Sequence, residues 1–320
     1  MQLPKPTLTD ILKQQKVLIL LFCVVIAMLM IGELLAPGFS SFQHIQTILR
    51  TASFVGLAAI GQTLVILTGG IDLTIASLIT LGQIFGCLFV NTSDANLWWA
   101  ILLILLIGGV FGLISGLGVS YLKISPLVMT LAVSSLVNGV TLISIEGAPR
   151  GRASPLLERM GAGSVAGMPS MVWIWLLLSA IVILFLRKTI VGRQIYHIGT
   201  NSTASRYSGI RTAQIRTMVY VLSAMCSVFT GILLAGNTAR PFLGIGKEYT
   251  MWSITAVVIG GTSMAGGSGG YLGSALGAII IIMLEGLLTV INIPEAGRKI
   301  ANGLIILIMI MIYYRQNRKR

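Results

Sequence analysis

Few residues in this chain could do chemistry. Nine of its 320 residues are Asp or Glu and two are His. No paired carboxylates, Ser/His/Asp arrangement or cluster at metal-ligand spacing occurs, so the sequence offers no catalytic residue, metal site or cofactor site. It also lacks a G-x-x-x-x-G-K-[ST] phosphate loop, which excludes the chain as an ATPase in its own right. Two acids stand apart because apolar sequence surrounds them. Asp72 lies in Gly69-Gly70-Ile71-Asp72-Leu73-Thr74-Ile75-Ala76-Ser77, and Glu285 lies well inside an apolar run. A charged group at bilayer depth costs about 2.5–3.5 kcal/mol on the insertion scale, so such groups face an interior, a partner or water. One reading makes Asp72 and Glu285 the proton or sodium sites of an ion-coupled secondary transporter. The other makes them structural, with Asp72 capping the helix that follows it and Glu285 bonding a neighbouring helix. Glu33, within a turn of its helix end, reaches the interface and needs no function.

Composition identifies the elements that must position these residues. The chain is 55% hydrophobic and only 10% charged, with a mean hydropathy of +0.93. A soluble domain carries about a quarter charged residues. The apolar runs approach the length that crosses a hydrocarbon core of about 30 Å. In lipid the backbone must satisfy its own hydrogen bonds, so these runs read as helices. The alternating segments of a β-barrel do not occur. The expected fold is therefore all-α: a polytopic membrane protein of about ten transmembrane helices. They fall near 17–36, 50–68, 73–90, 97–119, 126–145, 171–187, 217–236, 250–264, 270–292 and 300–314. Residues 1–320 form one transmembrane domain, with tails at 1–16 and 315–320 and a polar loop at 188–216.

Charge distribution sets the orientation. The net charge of +13 sits at the ends and in a few loops, not on a basic face interleaved with aromatics, which argues against nucleic acid. With the N-terminus inside, fourteen of the 22 Lys and Arg fall on inner segments and eight on outer ones. That bias places both termini in the cytoplasm. His44 and His197 then lie on opposite sides. Trp98, Trp99, Trp173, Trp175, Tyr313 and Tyr314 stand near span ends, where amphipathic rings anchor. Cys23, Cys87 and Cys226 sit in apolar runs as small hydrophobes.

Three segments depart from simple spans. The Gly69–Ser77 stretch and the Gly260–Gly270 stretch interrupt helices with glycine. Such breaks either mark a solute path or serve as tight, closely packed turns. The third is the 188–216 loop. A short helix near 202–208 is expected there, capped by Asn201 or Ser202 and stopped by Gly209. It either presents a rigid knob to a partner or lies on anionic membrane lipid.

The loop resembles the cytoplasmic coupling loop of ribose-type ABC transporter permeases, with its pattern G-R-x-x-Y-x-x-G-x-N-x-x-A-x-x-x-S-G-I. Gly192, Arg193, Tyr196, Gly199, Asn201, Ala204, Ser208, Gly209 and Ile210 fill it in register. Residues 69–77 resemble the family's G-G-I-D-L-S-V-G-S segment, and residues 244–270 its G-x-G-x-E…A-V-V-I-G-G-T-S-x-x-G-G-x-G segment. Thr74-Ile75-Ala76 replaces Ser-Val-Gly, and Tyr249-Thr250 stands where Leu-Asp is usual. The resemblance implies the permease subunit of a bacterial inner-membrane importer, with no enzymatic activity of its own. Its partners would be an ABC ATPase subunit, a periplasmic substrate-binding protein and a second permease, identical or related. Gly199, Asn201, Ala204, Arg206, Ser208 and Gly209 would couple to the ATPase. A sugar-like solute is held by hydrogen bonds, so Gln62, Thr63, Asp72, Asn138 and Thr262 are the candidate path residues. The 146–169 loop, with Arg150, Arg152, Glu158 and Arg159, would dock the binding protein or simply cover the outer surface.

Overall fold

A computed structural model describes residues 8–301 together with Gly303, Leu304 and Leu307, and for residues 8–15 the backbone alone. The helices are α1 (Leu8–Leu35), α2 (Phe42–Leu67), α3 (Ile75–Val90), α4 (Leu97–Ser120), α5 (Pro126–Ser144), α6 (Pro155–Gly161), α7 (Ser170–Lys188), α8 (Ile190–Thr200), α9 (Ser202–Tyr207), α10 (Thr212–Thr238), α11 (Tyr249–Ile259) and α12 (Tyr271–Val290). A two-residue antiparallel hairpin, Ser164–Val165 with Met168–Pro169, is the only sheet among the described residues. Among the described residues, seven helices are long and apolar enough to cross a membrane: α1, α2, α4, α5, α7, α10 and α12. The α3 and α11 helices are apolar but shorter. Each of the first nine expected spans therefore has a helix, two of them short. Helical backbone resumes at Glu295 and runs to residue 301. Most of the tenth expected span, the 315–320 tail, Tyr313 and Tyr314 lie outside the described residues, as do residues 1–7.

The α2 helix is the hub. It is buried on every side from Ala52 to Leu67 and packs on α7, α10, α11 and α12. Lipid tails are as apolar as the helix surfaces, so packing at this depth depends on close approach through small residues. A methyl on Gly61 would meet Ser223 Cα of α10 at 2.6 Å. The longest such seam is Gly108, Gly112 and Gly116 of α4, four residues apart, which face Val228, Ala224 and Thr217 of α10. Apolar side chains stay exposed along α4, α5 and α7 at Leu102, Leu106, Leu131, Leu136 and Leu177.

Several details differ from the sequence reading. The α2 helix begins eight residues earlier than expected, because Ser41 caps it with a bond from His44 N. Its polar first turns stay helical. The α11 helix stops at Ile259, before the glycine run. Trp175 is no interfacial anchor. It is 4% exposed, and its indole N–H donates to the Tyr271 hydroxyl at 2.7 Å, which donates in turn to Gly56 O at 2.9 Å. Trp98, Trp99 and Trp173 are exposed. Glu33 fastens the α1–α2 turn by accepting from Gly38 N at 2.9 Å and Ser40 N at 2.8 Å.

Candidate functional site

The loop after α7 folds into two short helices whose ends are fixed by side chains. Thr189 caps α8 through a bond from Gly192 N at 2.9 Å. Asn201 is extended (φ −157°), and its Oδ1 accepts from Ala204 N at 2.9 Å, which starts α9. At the other end Gly209 N donates to Arg206 O at 3.0 Å and Ile210 N to Ser205 O at 3.1 Å. That bond pair needs a left-handed residue at the stop, and Gly209 supplies φ +81°. Of the two expected caps Asn201 is the one observed, and Gly209 is the stop. Ser205 turns inward, while Ala204, Arg206, Tyr207 and Ser208 face out. Tyr207 is 88% exposed.

Gly199 seats this knob on the bundle. A methyl there would lie 1.9 Å from Leu67 O and 2.2 Å from Gly267 N. At this crossing Gly267 N donates to Leu67 O at 3.0 Å, and the Tyr196 hydroxyl donates to Gly269 O at 3.1 Å. Burial at that contact pushes the Tyr196 phenol above its ordinary pKa. The two glycine-rich interruptions thus meet each other beneath α8, in close backbone packing. Gly199, expected among the residues that couple to the ATPase, faces inward, against Leu67 and Gly267.

Asp72 lies in the extended segment that leads into α3 and is 1% exposed. Its Oδ1 accepts from Thr74 N at 2.9 Å and also from the Thr74 hydroxyl. Its Oδ2 accepts from Ser223 Oγ of α10 at 2.7 Å. The expected local backbone bond is present, but as a turn two residues long. Thr74, not Asp72, occupies the cap position of α3. Asp72 also binds α10, which local sequence does not show. Glu285 lies 3.7 Å from the Arg298 guanidinium, and Arg298 reaches Thr289 as well. Each acid therefore has its own partners, Asp72 on α10 and Glu285 beyond the end of α12.

Of the other candidate path residues, Thr63 is buried with its hydroxyl 2.9 Å from that of Ser274 on α12. Gln62, its neighbour on α2, is fully buried, and neither polar atom of its side chain has a hydrogen-bond partner among the described residues. Thr262 accepts from Gly270 N at 3.2 Å within the second glycine stretch. Asn138 is exposed on α5, with Ser135 one turn before it. Gln62, Thr63 and Asp72 thus belong to the α2 hub, Thr262 to the glycine crossing, and Asn138 to an open helix face. Thr250, which stands where an acid was expected by resemblance, accepts from Ala76 N at 3.0 Å and so serves the first turn of α3.

Residues 44–313 match the family described as the permease component of branched-chain amino acid transport systems. The chain belongs to this permease family. It is 32% identical over 296 residues to a ribose import permease protein of Haemophilus influenzae, covering 91% of each chain. It is 31% identical over 291 residues to a probable ABC transporter permease protein of Escherichia coli, covering 90% of this chain and 87% of that one. An L-arabinose transport system permease protein of Escherichia coli is 30% identical over 301 residues, 93% of this chain and 91% of the relative. No solved structure matches. Membership makes the chain a transport component of the ABC type, not an enzyme and not an ion-coupled carrier.

Sequence reasoning missed three features of the permease. One is Ser223, whose bond to Asp72 spans 151 residues. Another is the Trp175–Tyr271–Gly56 chain. The third is an open cleft of about 1160 Å³ between the end of α2, the α4–α5 turn, α9 and the first turns of α10. Each is built by packing between distant helices, and no local signal announces it.

Proposed function

We propose that this permease carries a monosaccharide or a sugar-like solute across the bacterial inner membrane. A periplasmic binding protein delivers the solute, and ATPase subunits that dock on α9 drive the cycle. One observation carries this reading. The α8–α9 knob has a rigid, solvent-facing end at Arg206 and Tyr207 and a backbone seat at Gly199, where it touches Leu67 and Gly267 together. A push on α9 would reach the C-terminus of α2 and the α11–α12 connection in one step. No element needs to bend, because close-packed backbone transmits displacement.

In this reading ten helices span the membrane, with α3 and α11 completing their crossings through the extended segment at 70–74 and the glycine stretch at 260–270. Both termini are cytoplasmic, and so are α8 and α9. A second permease, identical or related, covers the open face of α5. The support is polar: Asn138 lies on that exposed face, where lipid would leave its amide without a partner. Gln62 and Asn138 line the path. Thr63, Asp72 and Thr262, whose polar atoms are engaged inside the bundle, hold its walls. The loop at 146–169 receives the binding protein on the outer side, where Asp94 fixes it by accepting from Leu156 N at 2.9 Å. The sugar assignment rests on what the ribose and arabinose relatives are named for.

The test is uptake of labelled ribose and arabinose into proteoliposomes that hold the permease and its ATPase, with binding protein outside. Uptake that needs ATP inside and persists without an ion gradient is expected. Uptake driven by a proton or sodium gradient without ATP would sink the proposal.

A further inference from the structure

The cleft beside α9 carries a chemistry that coupling does not require. Lys123, Arg206, Arg211 and Arg216 line it, and no acid does. No carboxylate among the described residues lies within ion-pair distance of any of the four. Two hydroxyls in its lining are buried and have no hydrogen-bond partner among the described residues, Tyr220 Oη and Ser120 Oγ. Tyr220 is only 2% exposed, and its oxygen would lie 2.5 Å from a methyl on Gly70. It therefore ends at the cleft floor beside the end of α2. A buried hydroxyl without a partner is costly, and the four cations have no acid within ion-pair distance, the buried Asp72 lying behind Tyr220 and engaged with Thr74 and Ser223. A ligand with several acceptor oxygens and a charge near −2 would satisfy both at once. Guanidinium groups match phosphate in a fork geometry, and hydroxyls add donors between them. At about 1160 Å³ the cleft exceeds what a bare ion needs and reaches the range of organic ligands.

We infer that this cleft binds a phosphate group carried on an organic molecule, either a soluble phosphomonoester or an anionic phospholipid headgroup. Arg216 and Tyr220 grip the phosphate, while Arg211, Arg206 and Lys123 raise the local anion concentration. Because the cleft shares Arg206 and Tyr207 with the outer face of α9, an occupied cleft would change the surface met by the ATPase. The inference concerns the chain's own residues and does not depend on which solute is carried.

The test uses the assembled transporter, permease with ATPase, in detergent. Binding of glucose 6-phosphate and of dioctanoyl phosphatidylglycerol is measured by calorimetry, with glucose and dioctanoylglycerol as controls. One of the two phosphate probes is expected to bind saturably, once per permease, while the controls do not; the probe that binds identifies the source. Arg216→Gln should weaken binding at least tenfold, and so should Arg211→Gln, an exposed site where folding is not at stake. Tyr220→Phe, which keeps the packing, should weaken it several-fold. The inference fails if neither probe binds, or if both arginine variants bind as tightly as the parent. It also fails if the probes bind only after the ATPase is removed, since the cleft would then belong to the ATPase interface.

Discussion

Replacing Asp72 separates a structural node from a working charge. The carboxylate accepts from Thr74 N and Ser223 Oγ at 2.9 and 2.7 Å, and both partners are buried. Asp72→Ala leaves three buried donors without their acceptor, Thr74 N, the Thr74 hydroxyl and Ser223 Oγ; the two hydroxyls can turn elsewhere, whereas an unmade bond costs about 1–3 kcal/mol. Ser223 can recover part of its share by turning its hydroxyl to the carbonyl of Val219, one turn back in α10. The net loss is therefore roughly 2–4 kcal/mol, a large fraction of a typical margin. Asp72→Asn keeps an acceptor for Thr74 and offers Ser223 a donor, so its cost should stay near about 1 kcal/mol. Thermal unfolding of the purified permease and ATP-driven uptake should both fall for Ala and both hold for Asn. An Asn variant that melts like the parent but loses uptake tenfold would refute the reasoning, because only the charge would then have been removed.

Gly199→Ala should lower both melting temperature and uptake, since its methyl would overlap Leu67 O at 1.9 Å and overpacking costs about 1–3 kcal/mol or more. Unchanged melting would mean that the seat is loose. A Cβ added at Gly209 meets no atom within 4 Å, so the main cost of Gly209→Val is the left-handed backbone, on the order of 1–2 kcal/mol. Membrane insertion should be normal while co-purification of the ATPase is lost; wild-type recovery of the complex would remove α9 from the coupling role. Labelling intact cells with an impermeant maleimide should modify Pro155→Cys and spare Ser202→Cys, and the reverse pattern would invert the orientation.

The sequence showed most of the helices because lipid solvation makes an apolar run nearly sufficient for a span. It missed the start of α2 because Gln43, Gln46 and Arg50 interrupt the hydropathy while the backbone stays helical. The α9 knob was legible to within a residue, since Asn201, one of its two candidate caps, and Gly209 act through local backbone geometry. The roles of Gly199, Trp175 and Ser223 were not, because each depends on which helix lies opposite. Gly199 fits a coupling-loop pattern equally well whether it faces a partner or the bundle; only the approach of Leu67 and Gly267 decides. Asp72 was half legible: its bond to Thr74 is local, and its bond to α10 is not.

The central claim is that α9 is where the ATPase meets this chain. The direct measurement is crosslinking from Tyr207→Cys, in a chain whose own three cysteines are replaced, using a short thiol-to-amine reagent on the assembled transporter. A permease–ATPase adduct should form from position 207, and none from Thr92→Cys at the far end of α3. Failure to form the adduct at 207 in a complex that still hydrolyses ATP and transports, or equal adduct from 92, would contradict the account.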